Sequence, residues 1–509
     1  MGAIWSSTVG DIIRRSARRV PAREALAFAD RSWSFRALDG AASAVALQLL
    51  ALGLRKGDRV AAFGKNSDAY LLLYLASAKA GLVHVPVNFA LTGEELAYIV
   101  NQSGSRALFA DAALLDRVQA IRARLGVSHY GTLRDGGECD VLRWAQAGPA
   151  PEPDVEVRDD DLAQLLYTSG TTAAPRGAML SHRALVHEYS SCIAALDFDA
   201  ADRPLHVLPL YHSAQMHVFL MPYIAVGASS RLHEGADPAA ALAEIEARSI
   251  TSFFAPPTFW IALLHHPDFA RRRLGSLRKA YYGASIMPVP VLEELQARLP
   301  GLGFYNCFGQ SEISPLATVL RPEEHAGRPD SAGRAVLFVD MRVVNDELSD
   351  VAPGQVGEVI YRSPQLCQAY WEKPEETAEA FSGGWFHSGD LARVDAEGYI
   401  TIVDRKKDVI NTGGVMVASR EVEDQIYAHP SVKEVAVIAT PHPKWIEAVT
   451  AVVVLKPGAR ASADEIIAHA HERLAPFKVP KVVHFVPDLP RNASGKILKR
   501  ELRRRFESA

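Results

Sequence analysis

The segment Leu165-Leu166-Tyr167-Thr168-Ser169-Gly170-Thr171-Thr172-Ala173-Ala174-Pro175-Arg176-Gly177 holds the densest set of groups that could do chemistry. An apolar run enters a loop rich in hydroxyls and small residues. A basic residue and a glycine close the loop before a helical pattern starts at His182. Thr168, Ser169, Thr171 and Thr172 offer hydroxyls, small neighbours such as Gly170 leave backbone N–H groups open, and Arg176 adds a guanidinium. A polyphosphate would meet several donors there at once. The Gly-x-x-x-x-Gly-Lys spacing of a Walker loop is absent. Taken alone, a loop of this composition is more often a surface turn than a nucleotide cradle, so both readings stand at this point.

Isolated candidates elsewhere are weaker. Asp390 reads alone as a turn carboxylate, Lys496 as a surface lysine of a basic tail, and His212 as an imidazole in an apolar wall. Their company changes the reading. After the loop come, in order, Tyr281-Tyr282-Gly283-Ala284-Ser285, Tyr305-Asn306-Cys307-Phe308-Gly309-Gln310-Ser311-Glu312, Trp385-Phe386-His387-Ser388-Gly389-Asp390-Leu391 and Pro490-Arg491-Asn492-Ala493-Ser494-Gly495-Lys496. This ordered set resembles the adenylate-forming superfamily of acyl-CoA synthetases, luciferases and peptide-synthetase adenylation domains. The resemblance covers essentially the whole chain and is nearest in pattern to fatty-acid-type acyl-CoA ligases.

The resemblance implies an AMP-forming acid–thiol ligase using ATP, Mg²⁺ and coenzyme A. Attack of a carboxylate on the α-phosphorus of ATP brings two anions together, so positive charge and fixed geometry are needed. By the family pattern Thr168, Ser169, Gly170, Thr171, Thr172 and Arg176 cradle phosphates, and Ser311, where a Thr is commoner, keeps a phosphate-facing hydroxyl. Glu312 is the Mg²⁺ ligand, a hard oxygen for a hard cation. Gly283, Ala284 and Ser285 line the adenine, Asp390 accepts from ribose hydroxyls, and Arg405 lies near the ribose. Lys496 reaches the α-phosphate and the substrate carboxylate, then leaves as the C-terminal domain rotates about Lys407. Gly413 and Gly414 border a pantetheine channel. His212 sits between acyl pocket and thiol entrance, where it either deprotonates the thiol or, the preferred reading, gates and packs the wall.

The acyl lining implied by the same pattern, Tyr211, Met216, Val218, Phe254, Pro257 and Thr258, is apolar, so a hydrophobic carboxylic acid is expected. Three departures stand out. Ala173 replaces the usual Gly, Arg176 the frequent Lys, and Met416 an Asn beside the thiol channel. They motivate one alternative, an enzyme that mainly thioesterifies a supplied acyl-adenylate; loading of a carrier protein and a non-catalytic nucleotide or acyl-adenylate sensor also stay open.

These residues need a scaffold of alternating elements. Strands are predicted at 59–64, 82–87, 107–110 and 162–166, with helices at 35–52 and 69–80, a pattern of parallel sheets covered by helices. The predicted fold is α/β: a large N-terminal domain, residues 1–406, with a small β lobe at about 321–404, followed by a small mobile α+β C-terminal domain, residues 407–509. In the latter a helix at 420–429 and strands at 435–439 and 449–455 are expected. With 509 residues the chain exceeds one ordinary core, so several lobes are required.

The formal charge of −4 supplies no field to gather nucleic acid. The basic run Lys499, Arg500, Arg503, Arg504, Arg505 reads as a solvated helix face. Apolar runs at 71–80 and 218–228 are too short to span a bilayer and read as core. Cys139, Cys192, Cys307 and Cys367 lack metal or disulfide spacing, so a reducing cytoplasm is expected. The expected partners are small molecules, with no nucleic acid and no membrane insertion. A homodimer, a separate acyl carrier and an adenylate-supplying enzyme stay open.

Overall fold

Runs of Val, Ala and Phe bounded by turn residues become parallel strands, enclosed most fully at 60–63 and Val83–Val87. Arg59–Phe63, Val83–Val87, Ser105–Ala110 and His129–Thr132 pair in parallel, and Leu162–Thr168 joins beside Val83–Val87. Arg176–Ser181 closes this six-stranded sheet antiparallel to Leu162–Thr168. Side chains buried on both faces explain why these strands show no polar alternation. Helix Asp68–Lys79 is buried at every position, as an all-round apolar helix must be, and Ser67 starts it by accepting from the Tyr70 N–H at 3.1 Å.

A nine-stranded sheet runs in the order Arg334–Ala335, Leu316–Leu320, Gly303–Gly309, Lys279–Gly283, Ser252–Phe254, Pro204–His206, Ser230–Leu232, Glu24–Phe28, Arg31–Ser34. Its inner strands are parallel and its ends turn antiparallel. Two smaller sheets follow. One has four strands, Asp340–Val344, Val356–Arg362, Phe386–Val394 and Ile400–Arg405; the other is built on the long pair Val432–His442 and Ile446–Leu455. Helix Ser419–Tyr427 buries Val422 and Ile426 in the core of the latter.

The computed structural model describes residues 7–168, 174–285, 287–413, 415–491 and 497–506. Contacts divide the chain into two units. The first holds residues up to Pro329 with Gly333–Asp340 and Arg362–Ser382; the second holds Asp330–Ala332, Met341–Tyr361 and the chain from Gly383 onward. The expected α/β class, with parallel-rich sheets and a small β-rich C-terminal part, is what forms. The expected boundary between Lys406 and Lys407 lies inside the second unit, because the four-stranded sheet groups with the C-terminal elements. Among the described residues no helix is long and apolar enough to cross a membrane.

Candidate active site

In the first unit the motif residues gather at carboxyl ends of strands, where open α/β sheets place ligands. Thr168 ends Leu162–Thr168, Gly283 ends Lys279–Gly283, and Gly309 ends Gly303–Gly309. Hairpin register pairs Thr168 with Arg176 and so sets the mouth of the hydroxyl-rich loop. Ser169, Gly170, Thr171, Thr172 and Ala173 lie outside the described residues.

Glu312 sits in a single 3₁₀ turn, Ser311–Ile313, and is 8% exposed. Its Oε1 accepts from the Thr168 hydroxyl at 3.2 Å and from the Tyr370 hydroxyl at 3.0 Å. Burial first, and then the charge of Glu312, push the Tyr370 phenol far up, so it stays a donor. The Arg176 guanidinium lies 4.3 Å from the Tyr370 ring centre, and its Nε is buried without a hydrogen-bond partner among the described residues. Thr168 and Tyr370 thus meet on the Glu312 carboxylate, and Tyr370 links it to the Arg176 guanidinium. The segment carrying Tyr370 is held along the open edge of Arg176–Ser181 by Met179 N–H to Ala369 O, 3.0 Å, and Trp371 N–H to Gly177 O, 2.8 Å.

Ser311 meets Ser213 at 3.1 Å, which stitches the turn carrying Tyr211 and His212 to the Glu312 turn. Asn66 braces the same stretch, donating to Leu208 O at 2.7 Å and accepting from Leu210 N–H at 2.7 Å. Gly283 has no room for a side chain, since a Cβ would lie 2.2 Å from the Cys307 carbonyl oxygen. Ala284 follows with φ +64°, a left-handed residue that is not glycine, and it is exposed with Ser285.

The expected acyl lining divides. Met216 and Val218 are buried in a π-helical turn, Ala214–Leu220, a local widening often tied to function. Phe254 stacks on Phe219 with centroids 4.2 Å apart, and Pro257 is buried at a helix start. Tyr211 and Thr258 keep partial exposure, with Tyr211 edge-on to Phe89 at 5.5 Å. Below, His217 Nε2 meets Gln164 Oε1 at 2.9 Å, Gln164 Nε2 meets His84 Nδ1 at 3.2 Å, and Tyr189 joins His217 to Tyr74. This fully buried chain couples the π turn to the strand that enters the loop.

In the second unit Asp390 and Arg405 face each other in register, with Arg405 Nε 2.6 Å from Asp390 Oδ1. A carboxylate has lone pairs left over from such a pair. Glu358 pins the motif by accepting from Gly389 N–H at 3.1 Å and pairing with Lys406 at 3.3 Å. Lys407 follows in an exposed turn. Gly413, at φ +65°, donates to Trp445 O at 2.6 Å, and a Cβ there would lie 3.2 Å from the indole. Met416 is 62% exposed on the adjoining strand. Gly414 and Lys496 lie outside the described residues. The basic tail is not one solvated face: Lys499 pairs with Glu423 at 2.8 Å and Arg503 with Asp408, because acidic groups at 404–423 lie within reach. Arg504 and Arg505 stay exposed.

Sequence reasoning missed Tyr370, Gln365, Glu188 and the Gln164–His217 chain. The one local signal was the aromatic pair Tyr370-Trp371 just ahead of a Pro-started helix, Pro374–Ala380. Among the described residues no group of three His, Cys, Asp or Glu could hold a metal ion. The oxygens at Glu312, Thr168 and Ser311 suit a hard cation that brings its own phosphate ligands.

A family profile described as AMP-binding enzyme matches residues 13–371, and the AMP-binding enzyme C-terminal domain matches 421–496. A feruloyl-CoA synthase of an Amycolatopsis species is 38% identical over 97% of this chain and 98% of its own. A long-chain-fatty-acid–CoA ligase of Mycobacterium tuberculosis, FadD13, is 33% identical over 94% of each. The crystal structure of an anthranilate CoA ligase, AuaEII, with anthranoyl-AMP superposes with a TM-score of 0.92 at 28% identity, covering 99% of this chain and 98% of that one. The chain belongs to the AMP-binding enzyme family, the adenylate-forming superfamily, and within it is an AMP-forming acid–thiol ligase of the acyl-CoA ligase group.

Proposed function

We propose that the enzyme converts a hydrophobic carboxylic acid and ATP into acyl-AMP and pyrophosphate, then passes the acyl group to the thiol of coenzyme A with release of AMP. The meeting of Thr168 and Tyr370 on the Glu312 carboxylate, with Arg176 over the Tyr370 ring, carries this reading. Glu312 would hold Mg²⁺, which supplies charge neutralisation at the phosphates. Thr168, Ser311 and Arg176 orient the triphosphate, Asp390 with Arg405 holds the ribose, and the backbone of Gly283, Ala284 and Ser285 walls the adenine. Lys496 meets the charge that moves onto the α-phosphate, and its departure follows rotation about Lys407. His212 closes the acyl wall as the thiol enters past Gly413 and Gly414.

The apolar character of Tyr211, Met216, Val218, Phe254, Pro257 and Thr258 supports a hydrophobic acid, and the feruloyl and anthranilate relatives place aryl acids beside fatty acids in the first screen. The four cysteines are free thiols, which suits a reducing cytoplasm. Pyrophosphate exchange with aryl, fatty and polycyclic acids, beside thioester formation from synthetic acyl-adenylate, tests the two half-reactions. Lys496→Ala is expected to lose exchange and keep thioester formation; unchanged exchange defeats the role given to Lys496. Thioester formation without exchange in the unaltered enzyme would favour a supplied adenylate instead.

A further inference from the structure

A single 3₁₀ turn is a weak element, with tight geometry and few internal bonds. Yet Ser311–Ile313 must hold the carboxylate of Glu312 steady. What braces it is a buried knot behind the turn. Cys367 N–H donates to Glu312 O at 2.7 Å, and the Ser314 hydroxyl donates to Gln365 O at 2.6 Å. Gln365 Nε2 donates to Leu316 O at 3.1 Å and to Glu188 Oε2 at 2.6 Å. Glu188 Oε1 accepts from Leu316 N–H at 2.9 Å and from the Cys192 thiol at 3.3 Å, and Ser191 donates to Gln365 Oε1 at 2.6 Å.

Glu188 is fully buried, and among the described residues no cation pairs with it and its hydrogen-bond partners Leu316, Cys192 and Gln365 are all donors. Burial pushes its carboxyl well above the ordinary range, and the Leu316 and Cys192 donors pull the other way. Such a group is costly for stability alone, where an apolar side chain would serve. Its place explains it. Glu188 lies in helix His182–Ala195, which starts where the strand leaving the phosphate loop ends, and it reaches the far side of the Glu312 turn.

We propose that Glu188, acting through Gln365 and Leu316, is a positioning residue that sets the Glu312 turn against the phosphate loop and so tunes the metal–nucleotide half-reaction. The inference rests on the reading of Glu312 as the Mg²⁺ ligand. Glu188→Gln keeps the shape but turns an amide N–H toward Gln365 Nε2 or Leu316 N–H, donor against donor.

The full-length enzyme is assayed for pyrophosphate exchange against Mg·ATP and, separately, for thioester formation from synthetic acyl-adenylate. With Glu188→Gln the half-saturating Mg·ATP concentration is expected to rise about tenfold, while thioester formation stays within about twofold. The milder Ser314→Ala should shift the same way by about threefold, which keeps the test alive if Glu188→Gln folds poorly. Equal loss in both half-reactions, or a lowered melting temperature with unchanged Mg·ATP dependence, overturns the proposal. Glu312→Gln runs alongside. A shift there with none for Glu188→Gln and Ser314→Ala overturns the positioning role alone, whereas no shift with Glu312→Gln overturns the reading of Glu312 and the positioning role with it.

Discussion

In the first unit the side chains behind the site are enclosed, as in the uncharged chain His84, Gln164, His217, Tyr189, Tyr74 and in the knot where Gln365 and Leu316 donate to Glu188. In the second unit the corresponding task falls to ion pairs, Asp390 with Arg405, Lys406 with Glu358, Lys499 with Glu423 and Arg503 with Asp408. Enclosed neutral networks are rigid, barely screened by salt, and intolerant of an added proton. Ion pairs with one partly exposed partner, such as Arg405 with Asp390 and Lys406 with Glu358, are screened more by salt and tolerate rearrangement. The difference suits a first unit that holds the Glu312 carboxylate in place, and a second that carries the proposed hinge at Lys407.

Acid should break the first unit by the widest margin. Burial lowers the pKa of His84, His206 and His217 to about 3 and of His182 to about 4, against an ordinary 6.5. Below 6.5 the unfolded chain binds protons that the folded state refuses, so stability falls as pH drops from 6.5 toward 4. The slope is about 1.4 kcal/mol per pH unit for each such group. Amide hydrogen exchange between pH 7 and 5 should therefore show protection lost first at Leu162–Thr168 and Ala214–Leu220. Equal loss in strands Val432–His442 and Ile446–Leu455 would erase the contrast.

Removing the charge of Glu312 comes next. Glu312→Gln should cut pyrophosphate exchange roughly 100-fold while sparing thioester formation from supplied adenylate, as steady-state rates of the two half-reactions would reveal. In the second unit, Arg405→Ala removes the guanidinium paired with Asp390 and should raise the KM for ATP about tenfold, with a smaller change in the KM for the acid. Salt sharpens the comparison at its fine end. Raising ionic strength from about 0.05 to about 0.5 M should cost the second unit no more than about 1 kcal/mol and the first less, read by unit-resolved hydrogen exchange.

Much of the scaffold was legible because its signals are local. Val83–Val87 and Asp68–Lys79 declare themselves by predominantly apolar runs, and Thr168, Arg176 and Glu312 by ordered motifs. Tyr370 was not legible, since it lies 58 positions from Glu312 and nothing near it marks the contact. Gln365 and Glu188 meet across 177 positions, and either alone reads as an ordinary polar side chain. The basic tail misled for the same reason: helical spacing says which residues share a face, not which acids stand opposite.

By itself the sequence determined the alternation of strands and helices, the α/β class, and the motif residues that mark an acid–thiol ligase, because hydrophobic period and motif spacing act over a few residues. Only the tertiary structure decided that Tyr370 joins Arg176 to Glu312, that Met216 and Val218 lie in a π turn, and that Glu188 is sealed behind the Glu312 turn. Burial and pairing depend on chain segments that are distant in sequence, and the exclusion of water that gives a carboxylate or an imidazole its character exists only once those segments have packed.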